Sequence, residues 1–142
     1  MSKALTVEQL NEIESHFIYA NEERLKVEEI IKDIAEESSY ALDATGVHGT
    51  KISDMTADRV TRIEKETRVL RAWGEVVTAT FEHFRNDILM LNLLSMLYVE
   101  RFSPEEIMGR LFISKTTLYE YRKEILRFAA IKAAEKGVFS ID

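Results

Sequence analysis

The sequence predicts an all-α protein, a long N-terminal helical arm followed by a helical bundle that ends in a helix-turn-helix. Three observations carry this prediction. One proline and five glycines in 142 residues leave few points at which a helix must break. Apolar residues recur at alternating three- and four-residue steps through most of the chain, the period of one helix face. Hydroxyl residues stand where helices would start, at Thr6, Ser103 and Ser114. The expected organisation is an acidic helical arm over 1–43, a glycine-containing loop over 44–56, and a helical domain over 57–142 with the helix-turn-helix at 103–136.

Thr6 with Gln9 three residues on is a capping box. From there Leu10, Ile13, Phe17, Ala20, Val27, Ile31 and Ile34 form a stripe interrupted by Arg24. The stripe fits one long amphipathic helix of coiled-coil character, or two helices broken near Asn21. Its apolar face would pack within the chain or serve as a dimerisation arm, and a homo-oligomer that pairs two half-sites would suit a DNA reader. Ser38–Asp54 reads as a loop, with Gly46 and Gly49 breaking helix and His48 alone between them.

Ser53 or Thr56 is the expected cap of the next helix, which should run to about Arg85. Its inward stripe is read as Val60, Ile63, Thr67, Leu70, Val77, Phe81 and Phe84, with Trp73 alongside. Lys51, Arg59, Arg62, Lys65, Arg68 and Arg71, mixed with Glu64 and Glu66, read as a solvated face of paired charges. Apolar residues occupy almost every side between Ile88 and Val99, which predicts a buried central helix with Met90 and Met96 as core fillers.

The most informative stretch is Phe102–Ala134. Ser103, with Pro104 at the first helical position and Glu106 at the third, opens a short helix carrying Ile107, Met108 and Leu111. Phe112 and Ile113 form the turn. Glycine often holds the turn position, and a bulky Phe112 disfavours positive φ, so a less common turn is expected. Ser114 caps a longer helix. Leu118, Ile125 and Phe128, with Tyr121 beside them, form its buried face. Lys115, Thr116, Tyr119, Glu120 and Lys123 form the other. Threonine methyls can touch thymine, lysine can reach guanine and glutamate can accept from cytosine. Ser114, Thr117, Arg122 and Arg127 suit phosphates. The short helix, turn and Lys/Thr/Tyr/Arg-rich helix match a DNA-reading helix-turn-helix. Beyond it, Gly137 is the expected left-handed helix stop, and residues 138–142 a short tail.

The net charge is −6, but it is unevenly spread. Residues 1–43 hold 4 basic and 11 acidic side chains, and residues 115–136 hold 6 basic and 3 acidic. A local basic patch matters more to DNA than the total. Without cysteine there is no disulfide, thiolate nucleophile or Cys-ligated zinc. His16, His48 and His83 are too far apart in sequence to suggest a metal site. No nucleophile–base spacing or phosphate loop appears, so neither an enzyme nor a cofactor is expected. The opening MSKALTVEQL has no apolar signal core, and Ile88–Val99 is too short to span a membrane. A cytoplasmic protein, with no membrane partner, is the expectation.

The loop and C-terminal half together resemble the phage late-gene transcriptional regulators of the RinA/ArpU type. Gly46-Val47-His48-Gly49-Thr50-Lys51-Ile52-Ser53-Asp54-Met55-Thr56-Ala57 is similar to that family's glycine-containing loop leading into a Ser-Asp-x-Thr-Ala helix start. Trp73 matches its central tryptophan. Ser114-Lys115-Thr116-Thr117-Leu118-Tyr119-Glu120-Tyr121-Arg122-Lys123 is similar to its Ser-x-x-Thr-x-Tyr-x-x-(Arg/Lys)-Lys run, and also resembles region 4 of sigma factors. The resemblance, over about Ser38–Gly137, implies sequence-specific binding to double-stranded DNA near a late promoter and activation through host RNA polymerase. Two other functions fit the same pattern: a small terminase subunit, and a helical adaptor that binds only protein.

Overall fold

The computed structural model describes the backbone of residues 4–45 and 50–141, and the side chains of residues 4–37 and 57–141. Among these all regular structure is helical, with no strand. The elements are α1 (Val7–Ile18), α2 (Ala20–Thr45), α3 (Thr50–His83), α4 (Ile88–Leu94) with a π-helical turn at Ser95–Val99, α5 (Pro104–Leu111) and α6 (Lys115–Glu135). No described helix is long and apolar enough to cross a membrane. The chain forms two compact units, Met1–Ala20 with Ala72–Asp142, and Asn21–Arg71.

The N-terminal stripe is broken, as one of its two readings had it. Tyr19 ends α1 with φ −100° and ψ 19°. The expected arm over 1–43 is therefore shared between units, and α1 groups with the C-terminal helices. The Thr6 capping box forms, with Thr6 Oγ1 accepting from the Gln9 N–H at 3.1 Å and the Thr6 N–H donating to Gln9 Oε1 at 2.9 Å.

The expected loop is mostly helix. Backbone helix covers 38–45 and 50–56, and Gly46, Val47, His48 and Gly49 lie outside the described residues. Ser53 and Thr56 consequently sit inside α3 rather than capping it. The physical reason is local: no proline occurs there, and Ala41, Leu42 and Ala44 on one side and Lys51 and Met55 on the other favour helix up to the glycines.

In the Asn21–Arg71 unit, Ile34 and Thr67 are buried. Arg62 of α3 pairs with Glu37 of α2 at 3.1 Å. That hydrogen bond, and the carboxylate charge behind it, raise the guanidinium pKa.

The other unit holds a continuous core. Ile13 and Phe17 of α1 meet Trp73, Val76 and Phe84, then Met90, Leu93, Leu94 and Tyr98, Ile107 of α5, and Leu118, Ile125, Leu126, Ala129, Ala130 and Ala133 of α6. The inward stripe of α3 thus differs from the expected one. Val60 is exposed, whereas Val76 and Thr80 are buried. Threonine is tolerated there because its hydroxyl donates one turn back. Thr80 Oγ1 reaches the Val76 carbonyl at 2.8 Å, and Thr67 Oγ1 the Ile63 carbonyl at 2.6 Å.

The Ile88–Val99 segment is not buried all round, since Ile88 and Val99 are largely exposed. It begins at Asp87, whose side chain accepts from the Met90 N–H at 3.2 Å. It ends in a π-turn, with the Glu100 N–H donating to the Ser95 carbonyl at 2.8 Å. The wider turn carries Tyr98 into the core. Arg101 then takes a left-handed conformation at φ 57°. Its guanidinium donates to the Ile18 carbonyl at 2.8 Å and lies over the Tyr19 ring, 5.6 Å from its centre.

Gly137 closes α6 at φ 76°. The Val138 N–H reaches the Ala133 carbonyl at 3.1 Å and the Gly137 N–H the Ala134 carbonyl at 3.0 Å, a Schellman stop. The tail then packs on the core. Trp73 is stacked on His16 (centroids 3.9 Å apart, 10° between planes) and met edge-on by Phe139 at 6.2 Å.

A buried carboxylate lies within this apolar unit. Glu14 is only 8% exposed. Its Oε2 accepts from the Tyr98 hydroxyl at 2.7 Å and from Arg122 Nε at 2.7 Å, while Oε1 accepts from Arg122 Nη2. The pair is bidentate, the strong form of the interaction. Burial first, and the Glu14 charge second, push the Tyr98 phenol pKa well above its ordinary 10. A raised folded-state value means that stability is complete below about pH 10 and falls as the pH rises toward the folded pKa. There the unfolded chain releases a proton that the folded chain retains, at about 1.4 kcal/mol per pH unit. We expect Tyr98→Phe to flatten this alkaline loss relative to the parent chain in denaturant titrations at stepped pH. Equal slopes for the two would contradict the assignment.

Candidate nucleic-acid interface

The segment from Ser103 to Lys123 folds as a short helix, a tight turn and a longer helix, each boundary set by a named group. Ser103 Oγ accepts from the Glu106 N–H at 3.2 Å, with Pro104 at the first helical position. The Glu106 carboxylate pairs with Arg110 at 3.2 Å. The turn is not of the expected kind. Phe112 adopts φ 55° and ψ 45°, fully left-handed. The Ile113 N–H then donates to the Met108 carbonyl at 3.2 Å, and Ile113 packs on the core. This costs an L-residue about 1–2 kcal/mol, in the turn that follows the helix carrying the fully buried Ile107. Ser114 Oγ accepts from the Thr117 N–H at 3.1 Å and donates to Thr117 Oγ1 at 3.0 Å, which caps α6.

Helical geometry sorts the predicted site residues. Leu118, Ile125, Leu126, Ala129 and Ala133 occupy the buried side of α6. Thr116, Tyr119, Glu120, Lys123 and Arg127 share the exposed side, and Lys115 is exposed at its start. Lys115 Nζ lies 5.9 Å from the centre of the Tyr119 ring. Ser114 is exposed beside its cap bond, and Thr117 is half-buried. Seven of the nine expected contact residues are therefore exposed at one end or on one side of α6, Thr117 and Arg122 are half-buried, and all but one are uncommitted to a buried group.

Arg122 is the exception. It is bound to the buried Glu14 carboxylate, and that hydrogen bond raises its pKa further. The bidentate pair fixes α6 on α1 and commits the Arg122 guanidinium to that carboxylate. Sequence spacing carried the signal: Arg122 is four residues after Leu118 and three before Ile125, on the buried face.

The charge balance of α6 changes accordingly. Lys132 pairs with Glu135 at 3.4 Å, and Lys136 with Glu75 at 2.9 Å. Among the described residues, Lys115, Lys123 and Arg127 enter no ion pair, and they share the exposed surface with Glu120 and Glu124. Lys123 and Arg127 line a groove of about 370 Å³ with Leu5, Leu10, Ala130, Ile131 and Ile141. An apolar floor along their stems lets the charged heads extend outward. His83 stacks on Phe128 at 4.0 Å, so two of the three histidines serve aromatic packing. No group of acidic and histidine side chains suited to a metal occurs among the described residues.

The arrangement can present hydroxyl, lysine and aromatic groups to a polyanion along one side of a helix whose other side is anchored. Comparison of the chain with protein-family models, curated proteins and solved structures finds no match.

Arg122→Ala should destabilise the protein by about 2–3 kcal/mol, because it leaves a buried carboxylate unpaired. Arg122→Lys, which keeps the charge but not the fork, should recover part of this. Chemical denaturation of the three proteins checks the order. A stability loss below about 0.5 kcal/mol for Arg122→Ala would contradict the structural role.

Proposed function

We propose that the protein is a sequence-specific DNA-binding transcriptional regulator of the helix-turn-helix type, with α6 as the reading helix. The observation that supports this most is the sorting of α6. Its one arginine on the inner face is neutralised internally, and its three unpaired cations stand outward with Thr116 and Tyr119. On this reading Thr116, Tyr119, Glu120 and Lys123 meet base edges in the major groove. Ser114, Lys115 and Arg127 hold phosphates, and the α6 N-terminus adds its partial positive charge.

The finer proposal is a phage or prophage late-gene activator working with host RNA polymerase. It rests on the resemblance of the loop, Trp73 and the 114–123 run to RinA/ArpU-type regulators. The acidic segment over residues 1–43 is then the surface for a second copy or for polymerase. An adaptor that binds only protein is the second reading, favoured by one observation. The internal use of Arg122 leaves α6 with three unpaired cations against two exposed carboxylates, a thin positive margin for a polyanion.

Selection from a random duplex library at near-physiological salt, read by sequencing, separates the two. The regulator reading predicts an enriched motif. It also predicts that Lys115→Ala reduces the slope of log affinity against log salt by about one, while Lys123→Ala relaxes the enriched motif at one base position. Absence of enrichment together with absence of DNA affinity at low salt would overturn it in favour of the adaptor.

A further inference from the structure

Two non-glycine residues among those described have positive φ, Arg101 and Phe112. Their side chains differ in what they do for the fold. Arg101 donates to the Ile18 carbonyl and covers Tyr19, so its strained backbone is held by contacts. Phe112 is 93% exposed. The turn needs a left-handed residue at this point, but it does not need a side chain. Glycine would close it without the Cβ penalty. The phenyl ring therefore adds strain, remains in water, and contributes nothing to the core.

The chemistry around the ring narrows what it could meet. Leu111 and Ile113 on either side of it are half-buried against the core, and the exposed residues beyond them in sequence, Arg110, Ser114, Lys115 and Thr116, are polar or cationic, so the chain next to Phe112 offers little exposed apolar surface of the kind protein partners cover. Tyr119, 43% exposed, stands one helical turn beyond Lys115. An isolated aromatic ring among cations and hydroxyls fits a polyanion that also offers apolar surface. Double-stranded DNA does so, through its deoxyriboses and thymine methyls.

We propose that Phe112 is a DNA-contacting residue, an apolar tip on the turn that places its ring against sugar and thymine methyl at the edge of the site read by α6. This rests on the DNA-binding reading above and adds a residue that reading does not require. The contact is apolar and displaces no counterion, which distinguishes it from the lysines beside it.

The test compares the parent chain with Phe112→Gly, Phe112→Asn and Phe112→Tyr on a mixed-sequence duplex of about 30 base pairs, three helical turns. Glycine and asparagine both accept the left-handed conformation. Their thermal midpoints should be unchanged or raised by a few degrees, roughly 2–5 °C. Their DNA affinity should fall about five- to tenfold while the salt slope stays at the parent value. Phe112→Tyr, which keeps the ring, should bind within about twofold of the parent. If the parent binds and both glycine and asparagine variants bind equally well, the inference is overturned and the DNA reading stands. If the parent shows no salt-dependent affinity, the DNA reading falls and this inference with it. A reduced salt slope in the glycine and asparagine variants would also overturn it, by showing that the loss comes from displaced lysines.

Discussion

The Glu14 carboxylate is the constraint on which the C-terminal unit depends. It joins residues separated by 84 positions, through Tyr98, and by 108 positions, through Arg122. A carboxylate at this depth is costly unless every lone pair is used, and here both oxygens accept. Three elements are thereby placed at once. α1 is held on α6, the π-turn is pinned where Tyr98 points inward, and the rotation of α6 about its axis is set. With Arg122 directed at Glu14, the 3.6-residue period sends Tyr119, Lys123 and Arg127 away from the core. The outward face of the candidate reading helix is thus a consequence of an ion pair behind it.

The supporting contacts serve the same placement. Arg101 fastens the end of the π-turn to the end of α1, and the chain tail returns so that Phe139 meets Trp73 and Ser140 accepts from the Gln9 amide. Gly137 makes that return possible, because the Schellman stop ends α6 sharply. α1 packs directly on α6, and the buried Ala129, Ala130 and Ala133 keep the inner side of α6 small. Small side chains and one buried ion pair therefore do together what a wholly apolar interface would do, and the ion pair adds a defined register.

Much of the fold was legible in the sequence where a short-range device was at work. The Thr6, Ser103 and Ser114 caps, the proline at the first position of α5 and the Gly137 stop all depend on neighbours within five residues. So does the all-α class, since little in the chain interrupts a helix. What escaped is long-range or competitive. The glycine-containing stretch was read as a long loop because Gly, Ser and Thr cluster there, but alanine and long side chains carried helix up to Gly46 and on from Gly49. Val76 and Thr80 lie one position before Val77 and Phe81 of the expected stripe, so beyond Leu70 the buried face of α3 is turned by one residue, a shift that the local period does not fix. The π-turn has no sequence signature in Ser95–Val99. Among candidate site residues, Thr116, Tyr119, Glu120 and Lys123 are separable from the core by period alone. Residue type suggests a phosphate contact for Arg122, whereas its position between Leu118 and Ile125 points it at Glu14, and Phe112 adopts the left-handed conformation that its bulk disfavours.

The same logic organises the functional reading. The chain secures α6 from behind, neutralises the arginine that faces inward, and leaves a compact outward set of lysine, threonine, tyrosine and arginine with an exposed phenylalanine on the adjoining turn. The most direct test is to titrate duplex DNA into isotopically labelled protein and follow the backbone amides. The account predicts saturable, salt-sensitive shifts concentrated between Phe112 and Arg127, with Glu22–Glu37 unmoved. Shifts confined to another surface, or none at low salt, would contradict it.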